Sequence, residues 1–445
     1  MKLFRKTLKN IDFKYIIVKY LCILLLFFTK NMIDLSLSPQ IILLIILVLF
    51  VFEFLLTQTL SFLNTTKWSS KLPDELKEIY DEEKYSKSME YEKAKYSFWN
   101  ISSIFFFNIM ILLLILGVFG FLHNYLYSIS SNIYFTTLGF FGILYILQTI
   151  ISLPFSYYST FVIEEKFGFN KMTKKLFFTD LIKSLLLTFV LWWAILSLIV
   201  WFFTISWEYF WLFAWAFVSF LSVFMMMFYS SLIVPIFNKQ TPLWAWKLRD
   251  DIEKFASDVW FKLDNIFVID WSKRSSKANA YFAGFWPKKR IVLYDTLIKD
   301  LTNNELVAVL AHEIGHYKRK HTLQMLAFWL TQTFIMFFVL GIALNYIEIS
   351  HALWADTYSF AVSLVAFGIL FTPLSIIFWL FWNILSRKNE YQADEFAAIN
   401  YKANKLKSAL IKLSRNNLSN LTPHPAYEFF HYTHPSVLKR LNALD

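Results

Sequence analysis

Seven long apolar runs constrain the fold of this chain more than any other feature of its sequence. Each is close to or longer than the roughly 20 residues that a helix needs to cross a bilayer. Only 17% of the residues are charged, whereas soluble proteins carry about 25%. The chain is therefore predicted to be an all-α polytopic membrane protein. The runs span residues 41–63, 98–121, 134–157, 181–204, 208–233, 323–346 and 358–385.

An eighth apolar run, residues 13–29, is shorter and contains Lys14 and Lys19. It is compatible with an extra membrane helix, an uncleaved signal-anchor or a helix that lies at the membrane surface. We divide the chain into an N-terminal segment, five membrane helices, a cytoplasmic loop domain, two further membrane helices and a cytoplasmic tail. The corresponding ranges are 1–40, 41–234, 235–322, 323–385 and 386–445.

The connectors between these runs fall into two groups by charge. Connectors 123–133, 205–207 and 347–357 contain no Lys or Arg, whereas the alternate connectors contain many. Because cytoplasmic loops of membrane proteins carry the excess of Lys and Arg, the second group is predicted to lie in the cytoplasm. The same rule accounts for the net charge of +11 without a nucleic-acid partner. Placing the basic N-terminus inside as well requires segment 13–29 to cross the membrane.

His312, Glu313 and His316 form an H-E-x-x-H motif at the end of the 235–322 loop. The sequence from Asn304 onward is typical of a helix, and side chains four residues apart share one face of a helix. Both imidazoles can therefore bind one Zn²⁺ ion, while Glu313 can reach a water molecule at the metal and act as a general base. Such a short motif also occurs by chance, so its interpretation needs support from the rest of the chain.

A catalytic zinc site needs a third protein ligand and keeps its fourth position open. The only cysteine, Cys22, lies in an apolar run, so the ligand must be His, Asp or Glu. Glu390 and Asp394 share a face of the helix that is predicted to continue the seventh apolar run. One of them could bind zinc while the other accepts a hydrogen bond from a ligand histidine. A solvated polar helix with charge pairs is the alternative interpretation.

Several sequence blocks, taken together and in order, resemble one family. These blocks are 72–87, 161–170, 236–243, 272–296, 312–316, 387–397 and 417–440. They resemble the type I CAAX prenyl proteases, the Ste24-like integral-membrane zinc metallopeptidases, over residues 65–445. The resemblance implies a ring of seven membrane helices around an intramembrane chamber. It also implies a cytoplasmic zincin-like metallopeptidase domain, with a small β element near 265–295, that caps the chamber.

The same resemblance implies roles for individual residues. Glu390 would be the third zinc ligand, and Asp394 the carboxylate that accepts a hydrogen bond from a ligand histidine. Asn279 would bind the main chain of the substrate by strand addition. His434 and Arg440 would orient the residues around the zinc ion or stabilise an oxyanion. An ordinary helix-start or core histidine is the alternative interpretation of His434.

The remaining histidines have simpler interpretations. His321 is expected at the membrane surface, since it follows three consecutive basic residues. His123 and His351 lie in connectors predicted on the opposite side of the membrane, where they cannot reach the metal. His424 and His431 are expected to pack within the tail.

We therefore predict a membrane-embedded endopeptidase that holds one Zn²⁺ ion and cleaves peptide bonds near the C-terminus of its substrates, prenylated CAAX proteins among them. Within that class, the alternative is a quality-control protease like the HtpX-type relatives. In another class, the alternative is a non-catalytic zinc-binding scaffold or a transporter, neither of which needs Glu313.

The expected partners are a peptide or protein substrate, lipidated or not, and the lipid bilayer, with no nucleic acid. We expect a monomer with its active site on the cytoplasmic side. The expected membrane is the bacterial inner membrane, or the endoplasmic reticulum membrane if the organism is eukaryotic.

Glycine is scarce and tryptophan is abundant, at 9 and 17 of 445 residues, against an average glycine content near 7%. Trp246, Trp260, Trp271 and Trp286 occupy positions where turn geometry or the family resemblance favours glycine. Enrichment of tryptophan at membrane interfaces explains residues such as Trp354 but not a tryptophan in a loop. The alternative is a gene that its organism reads with UGA as glycine, translated with UGA as tryptophan.

Overall fold

The computed structural model describes residues 37–69, 71–77, 79–244, 247–263, 265–283 and 290–444. Within these ranges the chain is mostly helical and contains one small sheet. The eighth apolar run, 13–29, lies outside the described residues, and so do Trp246 and Trp286.

The N-terminal part is a series of helices, five of which are long and apolar enough to cross a membrane. In chain order the helices are α1 (Pro39–Thr65), α2 (Glu82–Ile115), α3 (Val118–Ile129), α4 (Ile133–Tyr158), α5 (Lys174–Ile205), α6 (Phe210–Leu232) and α7 (Val234–Phe237). A π-helical turn, Ser159–Glu164, prolongs α4. The five long helices, α1, α2, α4, α5 and α6, contain most of each of the first five predicted spans. The second predicted span, 98–121, extends beyond the end of α2 into α3.

A small mixed sheet and short helices follow the fifth membrane helix. They are β1 (Gln240–Pro242), α8 (Lys247–Asp258), β2 (Asn265–Ile269), β3 (Ala280–Ala283), β4 (Arg290–Tyr294), α9 (Asp295–Asp300) and α10 (Asn303–Lys318). The strand order is β1-β2-β4-β3, with β2 and β4 parallel and the outer pairs antiparallel. Ile291, Val292 and Leu293 of β4 are fully buried, as expected for an inner strand covered on both faces. The sheet confirms the β element predicted near 265–295.

The C-terminal part returns to the membrane and then leaves it. Its helices are α11 (His321–Ala343), α12 (Ile347–Ala352), α13 (Phe360–Leu370), α14 (Thr372–Asn400), α15 (Ala403–Asn416), α16 (Pro425–His431) and α17 (Val437–Ala443). The predicted seventh span is not one helix, because α13 and α14 meet at an angle of 54°. Pro373, at the start of α14, cannot donate a backbone hydrogen bond and its ring clashes with the preceding turn, so the helix bends there.

Two connectors that the sequence suggested as loops contain the short helices α3 and α12. His123 Nδ1 in α3 lies 3.0 Å from Ser359 Oγ, and His351 Nδ1 in α12 lies 2.7 Å from the carbonyl oxygen of Ala355. Both histidines therefore have structural partners, in agreement with their assignment away from the metal site.

Glu305 ties the start of α10 to α15. It forms a capping box with Thr302, and its carboxylate also accepts hydrogen bonds from Ser408 and Lys412. Burial alone would raise the pKa of Glu305, but these hydrogen bonds outweigh it and lower the pKa from 4.5 to about 2. The charged form of Glu305 therefore stabilises the folded domain.

This shift predicts that stability depends on pH. A carboxyl group with a lower pKa when folded stabilises the protein above its unfolded pKa, and the effect disappears as the pH falls through the folded pKa. We expect Glu305→Gln to lower the unfolding temperature in detergent at neutral pH by about 4 °C, since a charged acceptor is worth ~1–3 kcal/mol. The difference should shrink as the pH is lowered from 4.5 towards 2. Glu253→Gln, which removes an exposed pair with Arg249, is the matched control, and equal losses in both variants would contradict the prediction.

Candidate metal centre

Three side chains from α10 and α14 converge at one point. The Nε2 atoms of His312 and His316 are 3.2 Å apart. Carboxylate oxygens of Glu390 lie 3.5 Å from His312 Nε2 and 3.2 Å from His316 Nε2. One potential ligand atom from each residue lies within 4.8 Å of the other two. Glu390 is only 4% exposed, so it is not part of a solvated helix face.

This set of donor atoms fits a divalent metal ion. Two imidazole nitrogens and one carboxylate oxygen are a common protein ligand set for catalytic zinc, which keeps a fourth position open. Glu390 Oε2 is buried and has only long contacts, with Arg440 Nη1 at 3.4 Å and His312 Nε2 at 3.5 Å. A metal ion bound between the three ligands would give this oxygen a close partner. Among the described residues, no other group of three His, Cys, Asp or Glu side chains meets the same distance condition.

Gly315 lets α10 and α14 approach closely enough for this convergence. A Cβ atom at position 315 would lie 3.1 Å from Phe396 Cβ and 3.2 Å from Ala393 Cα. Both distances are shorter than ordinary van der Waals contact, so a larger residue would have to push the helices apart. Ala393 and Ala397, small residues on the facing side of α14, are almost fully buried in the contact.

Asp394, one turn after Glu390, is bonded to His312 and Arg440. Its Oδ1 lies 2.9 Å from His312 Nδ1 and 2.6 Å from Arg440 Nη2, and its Oδ2 accepts a hydrogen bond from Arg440 Nε at 2.8 Å. By accepting the Nδ1–H of His312, Asp394 directs the lone pair of Nε2 towards Glu390. Burial opposes protonation of His312, but the hydrogen bonds to Asp394 and Glu390 raise its pKa to about 9. A cation must therefore displace a proton to bind.

His321 corrects the sequence analysis, which placed it at the membrane surface. The residue is 3% exposed, its Nδ1 lies 3.0 Å from Nδ1 of His316, and its Nε2 lies 2.9 Å from Oε1 of Gln392. Residues five apart on a continuous helix point about 140° away from each other. The contact forms because the chain turns between α10 and α11 at Lys320, which has a φ of 60°. The H-E-x-x-H motif does not predict this break between the two helices.

Glu313 and His434 are the more accessible residues of the site. Glu313 is partly exposed, and burial raises its pKa although His312 and His316 oppose the shift. The side chain of His434 is 62% exposed, with its Nε2 at 3.3 Å from Glu390 Oε1. This exposure excludes a core role for His434 and leaves its imidazole accessible to a molecule that enters the site.

Asn279 immediately precedes the edge strand β3. Its carbonyl oxygen accepts a hydrogen bond from the backbone N–H of Tyr294 at 3.1 Å, and its side-chain oxygen lies 2.9 Å from the backbone nitrogen of Ala280. Among the described strands, β3 pairs only with β4, and β3 also contacts α10. Among the described strands, the other edge of β3 therefore has no pairing partner.

Comparison with known proteins gives two family matches that meet near the start of the sheet. Residues 61–239 match the family described as CAAX prenyl protease N-terminal, five membrane helices. Residues 242–445 match peptidase family M48. The boundary between the two matches agrees with the point where the five membrane helices end in the structure.

Individual relatives match most of the chain. CAAX prenyl protease 1 of Saccharomyces cerevisiae is 36% identical over 404 residues, which cover 84% of this chain and 89% of that protein. The human CAAX prenyl protease 1 homolog is 31% identical over 431 residues, with coverages of 85% and 89%. The crystal structure of S. mikatae Ste24p matches with a TM-score of 0.85 and 35% identity, over 91% of this chain and 99% of that one. The chain therefore belongs to peptidase family M48 and is a multi-pass membrane metalloendopeptidase with the Ste24-type helical barrel.

Proposed function

We propose that the chain is a membrane zinc endopeptidase in which His312, His316 and Glu390 hold one Zn²⁺ ion. The convergence of these three donors beside Glu313 is the observation that carries the proposal. Imidazole ligands favour zinc over calcium or magnesium, which take oxygen ligands. When bound, zinc would supply Lewis acidity at the scissile carbonyl and lower the pKa of a water molecule.

Glu313 acts as the general base in this proposal. It takes a proton from the attacking water molecule and then gives it to the nitrogen of the leaving amine. A carboxylate with a raised pKa takes up a proton more readily, and burial raises the pKa of Glu313 in this way. Partial exposure of the side chain gives the water molecule and the leaving group access to it.

Arg440 and His434 have different roles. Arg440 is 8% exposed and donates to both carboxylate oxygens of Asp394, so it positions Asp394 and, through it, His312. His434 is accessible and lies beside Glu390. It is therefore the residue that donates an N–H to the oxyanion formed at the scissile carbonyl.

The substrate peptide adds to the free edge of β3 next to Asn279. Strand addition uses main-chain hydrogen bonds, so it selects an extended segment and places few demands on its sequence. An unfolded C-terminal tail of a protein meets this requirement, whereas a folded domain does not.

A cavity among the membrane helices provides a place for a lipid. It has a volume of about 610 Å³, and its walls include Trp329 of α11, Trp379 of α14 and the two residues Phe430 and His431 of α16. The same helix α14 that carries Glu390 also lines this cavity with Ser375, Ile376, Trp379 and Trp382. Because the walls are largely apolar, we propose that the cavity receives the isoprenyl group of a CAAX-type substrate that is cleaved near its C-terminus.

From the distribution of Lys and Arg, we propose that the active site lies on the cytoplasmic side of the membrane. That membrane is the bacterial inner membrane or the endoplasmic reticulum membrane, according to the organism. All residues assigned to the site come from one chain, so we propose that a monomer is active.

The two alternatives differ from this proposal in testable ways. A quality-control protease of the HtpX type would cleave unfolded membrane proteins and gain nothing from a prenyl group. A zinc-binding scaffold or transporter would cleave nothing and would be indifferent to the loss of Glu313.

The test of the catalytic assignment is Glu313→Gln. We expect peptide cleavage to fall by at least about 100-fold, because the general base is lost, while zinc content stays at that of the unchanged protein. Zinc is measured by atomic absorption and cleavage with a fluorogenic peptide in detergent, with and without a chelator. Glu395→Gln, at an exposed position on α14, is the control and should remain active. Cleavage by Glu313→Gln at the control rate, or chelator-resistant cleavage, would contradict the assignment.

The test of the substrate class compares a farnesylated CAAX peptide with the same peptide without its lipid. Each CH₂ group buried in an apolar cavity contributes about 0.8 kcal/mol, so we expect KM for the farnesylated peptide to be at least tenfold lower. Thr57→Trp, which fills the cavity from α1, should raise that KM towards the value for the unlipidated peptide. Equal KM values, together with faster cleavage of an unfolded membrane protein, would favour the quality-control alternative.

A further inference from the structure

His312 and His316 are oriented by different partners. The sequence predicts a carboxylate partner for a ligand histidine, but it does not predict the partner of His316. Asp394 accepts the Nδ1–H of His312. On the other histidine, Nδ1 of His316 faces Nδ1 of His321 at 3.0 Å, and Nε2 of His321 faces Oε1 of Gln392 at 2.9 Å. The three side chains form a chain of hydrogen bonds that starts at the proposed metal site.

Only one arrangement of protons satisfies this chain while leaving His316 able to bind a cation. A metal ligand must present an unprotonated Nε2, so neutral His316 carries its proton on Nδ1 and donates it to His321. His321 then accepts at Nδ1, carries its own proton on Nε2 and donates it to Gln392 Oε1. We propose that His321 and Gln392 are positioning residues that hold His316 in the metal-binding tautomer.

The fold supports this role independently of the proton arrangement. His321 is the first residue of α11, and the left-handed backbone at Lys320 brings it back under α10. Gln392 lies between Glu390 and Asp394 on α14, so the same short segment supports both histidines. The inference rests on the proposed zinc site, since a tautomer preference matters only if His316 binds a metal.

The experiment measures the zinc affinity of four proteins: the unchanged protein and the variants His321→Leu, His321→Asn and His321→Asp. Leucine, asparagine and aspartate at position 321 place a δ atom where His321 has Nδ1, but only asparagine and aspartate can accept a hydrogen bond. We expect His321→Leu to bind zinc about 10–100-fold more weakly than the unchanged protein, the range typical for loss of a partner behind a ligand histidine. His321→Asn and His321→Asp should remain within a few-fold of the unchanged protein.

Dissociation constants are measured by competition with a chromogenic chelator, and unfolding temperatures of the metal-free proteins are measured in parallel. His321→Leu binding zinc as well as His321→Asn would overturn the positioning role. The positioning role would also be overturned if His321→Leu and His321→Asn lost the same amount of zinc affinity at equal unfolding temperatures. An unchanged protein that binds no zinc would instead overturn the proposed function. A result in which zinc binds normally to all four proteins therefore contradicts this inference alone.

A separate observation concerns two tryptophans with left-handed backbone. Trp260 and Trp354 have φ values of 53° and 68°. Trp260 follows α8, its N–H donates to the carbonyl of Ser257, and the next N–H, that of Phe261, donates to Ala256. Trp354 follows α12 and repeats the same pair of bonds. These are the two hydrogen bonds of a Schellman motif, in which glycine normally occupies the left-handed position.

The indole of Trp260 gains nothing from burial that would offset this backbone geometry, and that of Trp354 is only half buried, with one side against Gly117. Trp260 is 92% exposed and Trp354 is 54% exposed. Two other turns among the described residues have the same pair of hydrogen bonds. One has Gly168 at this position, with a φ of 84°, and the other has Leu418, with a φ of 51° and a side chain that is only 5% exposed. Trp271, in contrast, lies in a 3-10 turn with its ring against Tyr294, so its backbone gives no reason to expect glycine.

We infer that positions 260 and 354 are glycine in the protein made by its own organism, which reads UGA codons there as glycine. Trp354 is therefore explained by its left-handed position in a turn, as Trp260 is, and not by a role at the membrane interface. Tryptophans whose indole N–H donates a hydrogen bond are expected to be genuine. Examples are Trp215, which donates to the carbonyl of Leu330, and Trp379, which donates to the carbonyl of Phe430.

The test reads the codons and then measures stability. We expect UGA at positions 260 and 354 and UGG at positions 215 and 379. In the protein made with tryptophan, Trp260→Gly should raise the unfolding temperature by a few degrees, and by more than Trp260→Ala, because alanine still carries a Cβ. UGG codons at 260 and 354 would overturn the inference, and so would a lower unfolding temperature for Trp260→Gly than for Trp260→Ala.

Discussion

The close contact between α10 and α14 is the constraint on which the rest of the site depends. Gly315 faces Ala393 and Phe396 with no room for a side chain, so the two helices lie as near to each other as their backbones allow. Bonds from zinc to its ligands tolerate errors of only about 0.2 Å. A contact set by backbone and Cβ atoms meets that tolerance better than one set by long, flexible side chains. The two histidines and Glu390 can converge because their helices meet directly, with Gly315 packed against Ala393 and the side chain of Phe396.

The membrane helices serve as the scaffold of this contact. α14 begins beside Pro373, within the bent pair that crosses the membrane, and continues to Glu390 and Asp394 without interruption. α11 begins at His321, directly behind His316. Two elements of the site are therefore rigid extensions of helices that also border the cavity among the membrane spans. In the proposed function, binding in the cavity and chemistry at the metal site would therefore be linked through helices α11 and α14.

The sequence predicted the features that depend on local periodicity. Six of the seven apolar runs lie mainly in single long helices and the seventh in the bent pair α13 and α14. The four-residue spacing of His312 and His316 predicted that both lie on one face of α10. It did not predict features that depend on where helices break or pack. The His316 to His321 contact requires the turn at Lys320, and a search for paired carboxylates would not detect it. The left-handed backbone of Trp260 was inferred because its position after a helix has a distinct pattern. That of Trp354 was missed because a membrane-interface role gave a sufficient explanation.

The charges of Glu390, Asp394 and Arg440, which surround the two histidines, suit a divalent ion. Glu390 and Asp394 are negative and Arg440 is positive, so these buried groups carry one net negative charge, and hydrogen bonds to the two carboxylates hold the pKa of His312 at about 9. With that proton the cluster of charges is neutral, and a divalent cation in its place would raise the net charge to one positive. Ionised Glu313 then makes the whole site neutral, which is the least costly state for a buried group of charges. In the proposed function, the carboxylate that would act as the base would also complete the charge balance, and the cation would favour its ionised form.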